Sequence, residues 1–227
     1  MTKITKLNGI GFLAFPEQKD FLVSELKDRF NIAHEDSYGD LLYYPDKSAF
    51  LDASNNKYPY WARTCMLDPF LLKFDSIGEA AGALKEIQRN WAPYQFTCFR
   101  RAQLIQEKLP YINLKERKFP FKIPDSPMGL YTLLDEHTLI ASATTTSPLP
   151  AGTMRFIEDH ENPPSRAYLK IQESLTLADF YLNCGLPESQ FLCFLLLFQK
   201  ILILHFQLLQ LELFLILQEL QQVLLLQ

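Results

Sequence analysis

Apolar and polar positions follow two rhythms along the front of the chain, one of strands and one of helices. Gly9 to Phe15 is an apolar, glycine-bearing run that predicts a buried strand. Pro16-Glu17 then opens a helix in which Phe21, Leu22, Leu26 and Phe30 share one face. Gly39-Asp40 precedes Leu41 to Tyr44, a second strand. Tyr60 to Met66 gives another, and Phe70 to Phe74 a short apolar one. Asp75-Ser76 caps a helix running to Arg89, with Ser76 and Glu79 at capping-box spacing. A strand around Tyr94 to Phe96 and a helix from Phe99 to Leu109 follow.

From Lys118 the pattern turns to β. Phe119 and Phe121 alternate with Lys118, Pro120 and Lys122. Leu130 to Leu134 and Leu139 to Ala143 flank Asp135-Glu136-His137, which predicts a hairpin. A loop rich in Thr, Ser and Pro runs from Thr144 to Gly152, and Met154 to Phe156 is short and extended. Strand–helix alternation followed by a hairpin defines the fold class as α+β, with a ferredoxin-like unit first and a second small α/β module after it. No internal repeat of fixed period is present.

Composition changes this picture at one place. Gly185 is the last glycine and Pro187 the last proline; from Phe191 the chain is mostly Leu, Gln, Phe and Ile, with sixteen Leu and seven Gln in the last thirty-seven residues. As a helix this stretch offers apolar faces, but Lys200, His205, Glu212 and several Gln interrupt it, so it predicts no firm membrane span. The net charge of −4 carries no global sign of nucleic-acid binding, although a local basic patch would suffice. Cys65, Cys98, Cys184 and Cys193 lack zinc-knuckle spacing and the four histidines are scattered, so no metal site is expected. The N-terminal stretch MTKITKLNGIGFLAF reads as lacking a signal peptide, which makes a reducing, cytoplasmic setting the expectation.

Candidate chemistry concentrates in Pro163-Pro164-Ser165-Arg166-Ala167-Tyr168-Leu169-Lys170-Ile171-Gln172-Glu173-Ser174-Leu175. Two prolines cannot sit inside a helix and Ser165 is a good N-cap, so a helix starts abruptly after a rigid loop. The spacing of Ser165, Arg166, Ala167, Lys170, Ile171 and Glu173 resembles the Ser-Arg-Ala-x-x-Lys-[Leu/Ile]-x-Glu start of the catalytic domain in FtsJ-type ribosomal RNA 2′-O-methyltransferases. The hairpin, the Ser/Thr/Pro loop and Gly152-x-x-Arg155-Phe156 upstream resemble the RlmM-like branch, which modifies a cytidine of 23S rRNA. The likeness covers roughly residues 8 to 182. It implies a ferredoxin-like module at 1–92, a THUMP-like RNA-binding module at 93–160, and the start of a Rossmann-like methyltransferase domain at 161–185, before a Leu/Gln-rich, apolar helical tail at 186–227. It implies S-adenosyl-L-methionine (SAM) as the methyl donor of the intact enzyme and ribosomal RNA as partner. Lys170 would be the first member of the family's Lys-Asp-Lys-Glu tetrad, its ammonium stabilising a developing 2′-alkoxide. Arg166 contacts RNA phosphate or pairs with Glu173 along the helix; both readings stand.

The family's SAM site needs a glycine-rich turn, Asp-x-Gly-[Ala/Ser]-x-Pro-Gly-Gly-Trp, shortly after the Lys helix. Here Asn183-Cys184-Gly185-Leu186-Pro187-Glu188 follows instead, and no such motif comes after it. A shifted reading frame is the favoured account of the tail. The chain as given is expected to bind no SAM and to methylate nothing alone. The alternative is a stand-alone RNA-binding or adaptor module whose C-terminal helix self-associates or lies on a membrane surface. Lys115, Arg117, Lys118 and Lys122 form a modest basic cluster for RNA phosphates, or a solvated loop. Tyr58, Tyr60, Trp61, Trp91 and Tyr94, with Arg63, Arg100 and Arg101 nearby in sequence, stack on RNA bases or pack the core, and packing is the commoner fate. Asp159-His160-Glu161 reads as surface.

Overall fold

The computed structural model describes residues 2–33, 36–54, 57–160 and 167–183. The chain falls into two compact units: Met1–Arg117 with Pro124–Arg155, and Lys118–Ile123 with Phe156–Gln227. The class is mixed α+β.

The first unit holds two sheets. One is built from β2 (Ile10–Ala14), β3 (Asp36–Tyr38), β4 (Leu41–Tyr44) and β5 (Ala62–Met66), in the order β3-β4-β2-β5 and antiparallel throughout. Helices α1 (Lys19–Phe30) and α2 (Lys47–Ser54) complete a β-α-β-β-α-β sequence. The other sheet has the order β1-β6-β9-β8-β7, from β1 (Lys3–Lys6), β6 (Pro69–Lys73), β7 (Trp91–Pro93), β8 (Gly129–Leu133) and β9 (Thr138–Ser142). Only its β7–β8 pair is parallel, and α4 (Phe99–Lys108) lies between those two strands in the chain, as parallel pairing requires. The expected boundary at residues 92/93 therefore falls inside one sheet: β1 and β6 precede it, β8 and β9 follow it.

Strict alternation of side chains sorts the core into three layers. Ile10, Phe12, Leu42 and Cys65 meet Leu22, Leu26, Phe30 and Phe50 from α1 and α2. Leu72, Tyr131, Leu133, Leu139 and Ala141 meet Ala80, Leu84, Ala102 and Ile105, from α3 (Ile77–Ile87) and α4. The strand residues of opposite parity, Leu13, Leu41, Tyr43 and Met66 from one sheet with Leu130 and Ile140 from the other, form the third layer. The unit is thus helices, sheet, sheet, helices. Because both faces of β2 and β8 are covered, every residue of each is buried, which is why both read as continuous apolar runs. Gly11 lies on the inter-sheet side; a Cβ there would stand 3.2 Å from the Met66 side chain and 3.3 Å from Leu41.

The Thr/Ser/Pro loop completes this unit. Thr145 bridges Met66, the Thr146 N–H donates to the Cys65 carbonyl at 3.1 Å, and the Thr146 hydroxyl accepts from the Cys65 N–H at 2.9 Å. The loop therefore satisfies backbone groups along β5, the edge strand. Gly152, at φ +67°, closes the loop where a Cβ would sit 2.3 Å from the Arg63 carbonyl oxygen.

Several expectations need correction. Phe21 does not share the buried face of α1. It is 54% exposed and stacks on Trp61 at 4.9 Å, while Leu22, Leu26 and Phe30, four residues apart, take the core. The strand expected at Tyr94 to Phe96 lies three residues earlier, at Trp91–Pro93, because Trp91 fills the core and donates from its indole to the Leu84 carbonyl at 2.8 Å. The alternation from Lys118 to Lys122 makes no strand; Phe119 meets Phe156 edge-on at 5.9 Å instead. The helix after Ser76 stops at Ile87 rather than Arg89.

In the second unit, the described residues include α5 (Ala167–Asn183). The Tyr168 hydroxyl bonds the backbone of Asp159, and the Thr176 hydroxyl donates to the Gln172 carbonyl at 2.8 Å. No helix among the described residues is long and apolar enough to cross a membrane.

Candidate nucleic-acid interface

Lys170 lies on α5, as the spacing predicts, with its side chain 83% exposed and its ammonium 3.2 Å from the Glu173 carboxylate. The pair is one helical turn apart and its lysine is solvated, a geometry worth little by itself. Arg166, the Pro163-Pro164-Ser165 start of the motif and the tail lie outside the described residues. Among the described residues no group of three or more His, Cys, Asp or Glu side chains converges on a metal-sized site.

The expected basic cluster divides between the units. Lys115 and Arg117 belong to the first, Lys118 and Lys122 to the second. Lys115, Lys118 and Lys122 are exposed; Arg117 is half-buried, its guanidinium donating to the Asn113 carbonyl at 2.8 Å and its backbone N–H to the Arg155 carbonyl at 2.7 Å. The Asn113 side chain also accepts from the Lys115 N–H at 3.0 Å, so local turn chemistry fixes this stretch.

The cluster is the end of a longer basic stretch. From Phe99 to Lys122 there are seven Lys and Arg against two Glu, in a chain whose net charge is −4. The excess begins on α4. Ala102, Ile105 and Leu109 turn one side of this helix into the core. Arg100, Leu104 and Lys108, at i, i+4 and i+8, run along the exposed side. In the sequence the basic cluster after α4 stands out and this face does not; its signal is the spacing of the buried positions, which fixes the opposite stripe.

The aromatic and arginine candidates divide by role. Trp91 and Tyr58 are structural, the latter 6.2 Å from Phe50. Arg63 is structural too: its guanidinium donates to the Thr153 hydroxyl at 2.9 Å and lies over the Tyr94 ring, and burial pulls its pKa down. Tyr94 accepts from the Asp40 N–H at 2.7 Å through its hydroxyl. Arg101 lies over Phe74. Tyr60 and Trp61 are held by Glu25, whose side chain is 7% exposed and accepts both backbone N–H groups at 2.9 and 3.0 Å as well as Arg29 at 2.7 Å. Asp159 and His160 lie in the second unit, His160 exposed and 3.9 Å from Glu158.

A scan against protein-family models gives no match for this chain, and a search of curated proteins gives none.

Proposed function

We propose that this chain is an RNA-binding polypeptide related to the front part of FtsJ-type, SAM-dependent ribosomal RNA 2′-O-methyltransferases, and that alone it transfers no methyl group. The observation that carries the RNA-binding half is the basic stretch from Phe99 to Lys122, set in a chain of net charge −4. A local excess of Lys and Arg neutralises phosphates and releases their counterions, whatever the overall charge.

The family half rests on the Ser165 to Glu173 spacing, with Lys170 and Glu173 on a helix. The β-α-β-β-α-β order and the β3-β4-β2-β5 arrangement support a ferredoxin-like reading of the first sheet. The β8–β9 hairpin supports reading residues 93–160 as a THUMP-like module, and helix α5 supports reading residues 161–185 as the start of a Rossmann-like domain.

The donor set does not fit SAM. The cofactor needs a strand ending in a glycine-rich turn beyond the Lys helix. The sequence there holds one glycine, Gly185. Among the described residues Lys170 pairs along its own helix, with Glu173, and faces solvent. The reading that remains is a binding module acting on ribosomal RNA in the cytoplasm, with the Leu/Gln-rich tail as a self-association segment.

Two measurements test it. Calorimetry with SAM is expected to give no heat of binding; micromolar binding would overturn the inactive assignment. Gel-shift titration with ribosomal RNA fragments is expected to give binding that weakens steeply between 50 and 200 mM salt. No binding at the lower salt would remove the RNA reading altogether.

A further inference from the structure

The exposed side of α4 and the segment that follows it have a composition unlike the rest of the surface. Phe99, on the first turn of α4, is 59% exposed, and Tyr111, three residues past its end, is 77% exposed. Tyr111 is the most exposed large apolar or aromatic side chain among the described residues. Between them run Arg100, Leu104 and Lys108, with Leu114 and Lys115 beyond. Arg100, Lys108 and Lys115 form no side-chain ion pair among the described residues. Glu107 is the one acidic residue on this side of the helix, and Gln103 donates to it at 3.3 Å.

We infer that this surface binds a single strand of RNA, with Phe99 and Tyr111 as stacking faces and Arg100, Lys108 and Lys115 on the phosphates. The inference rests on the RNA-binding reading above and narrows it to one strand state and one face. Three observations carry it. First, the charge is complementary to a polyanion. Second, the charges are strung along an axis: at about 1.5 Å per residue, Arg100 and Lys108 stand about 12 Å apart on the helix, a track that a flexible strand follows. Third, an exposed ring precedes the track in sequence and another follows it, at Phe99 and Tyr111. A duplex hides its base faces, so exposed rings gain nothing from it, whereas unstacked bases of a single strand lie on such rings whatever their identity. An acidic peptide would use the charges and leave both rings without a partner of their own kind.

The test uses the full chain and a fluorescently labelled twelve-nucleotide oligouridine at 50 mM salt, read by anisotropy. The same assay is run with a twelve-base-pair RNA duplex. Wild type is expected to prefer the single strand. Phe99→Ala and Tyr111→Ala are each expected to weaken single-strand binding by about 5-fold or more. They should leave the duplex affinity unchanged. Arg100→Ala and Lys108→Ala should each lower the slope of log affinity against log salt by about 0.7. Glu107→Gln should tighten binding. All five positions are exposed, so the variants are expected to fold; unchanged urea midpoints check this. If the double variant Phe99→Ala/Tyr111→Ala binds oligouridine as wild type does while the wild type binds RNA, the stacking face is overturned and the RNA-binding reading survives. If wild type binds neither RNA, that reading itself has failed. Binding to anionic phosphatidylserine vesicles but to no RNA, weakened by the same charge variants, would assign the face to a membrane surface and also overturn the inference.

Discussion

At the residue scale, two buried groups make opposite demands on the inter-sheet and helix-facing layers. Thr132 has the parity of Leu130, and its buried hydroxyl has no hydrogen-bond partner among the described residues. An unsatisfied buried hydroxyl loses its hydration with nothing in return. Replacing it with a methyl of nearly the same shape removes that cost. Thr132→Val is therefore expected to raise unfolding free energy by about 1 kcal/mol, measured by urea denaturation. A loss of stability would mean that the hydroxyl has a partner in solution. Cys65 has the reverse character. It is buried against the helix-facing core, and burial pushes its thiol from 9.0 up to about 12, against the smaller opposing effect of the Thr146 hydroxyl. The folded chain holds this proton more tightly than the unfolded chain. Its contribution is thus complete below about pH 9 and declines as pH rises toward 12. Burial raises Tyr131 in the same direction. The melting temperature is expected to fall across that window, less steeply in Cys65→Ala. Alkylation at pH 8 followed by mass mapping should label the half-buried Cys98 and spare Cys65 until the chain unfolds.

At the scale of elements, what the sequence reveals depends on whether the cause is local. The Ser76–Glu79 pair is local: the Ser76 hydroxyl accepts from the Glu79 N–H at 3.2 Å, and the Glu79 carboxylate accepts from the Asp75 N–H at 3.1 Å. Ser76→Ala is accordingly expected to cost about 1 kcal/mol, read as a lower urea midpoint with the slope unchanged. The hairpin of β8 and β9 was legible for the same reason, with Asp135 accepting from the His137 N–H at 2.7 Å at its turn. By contrast β1, Lys3–Lys6, carried no readable signal. All four residues are exposed, and its one partner strand among the described residues is β6, nearly seventy positions away in the chain. The edge strand β3 and the short helix α2, where Phe50 is the one buried large apolar side chain, were equally silent. Phe21 shows the limit of a helical face: with Leu22, Leu26 and Phe30 filling the core, the neighbouring position turned outward onto Trp61.

At the scale of the molecule, the candidate interface was half legible. Lys115, Arg117, Lys118 and Lys122 stand out in sequence as a run of charge. The α4 face does not, because Arg100 and Lys108 are separated by the helix's own core positions and come onto one side only when α4 is wound and docked. Phe99 and Tyr111 look like core residues until the opposite side of the helix is known to be the buried one. The same whole-molecule view bears on the unusual end of the chain. Every residue of the three apolar clusters lies between Leu7 and Ala151. Among the described residues, the apolar clusters of the first unit are thus built within that span. Hydrophobic burial scales with apolar area removed from water, and that area is already enclosed by the two sheets and four helices. A chain ending at residue 160 is accordingly expected to unfold in one cooperative urea transition, at the midpoint found for the first unit in the full-length chain. It should also lose any concentration-dependent association the tail confers, read by sedimentation. A broad transition or a midpoint lowered by more than the experimental scatter would show that residues beyond 160 complete the core, and the division into two compact units would have to be redrawn.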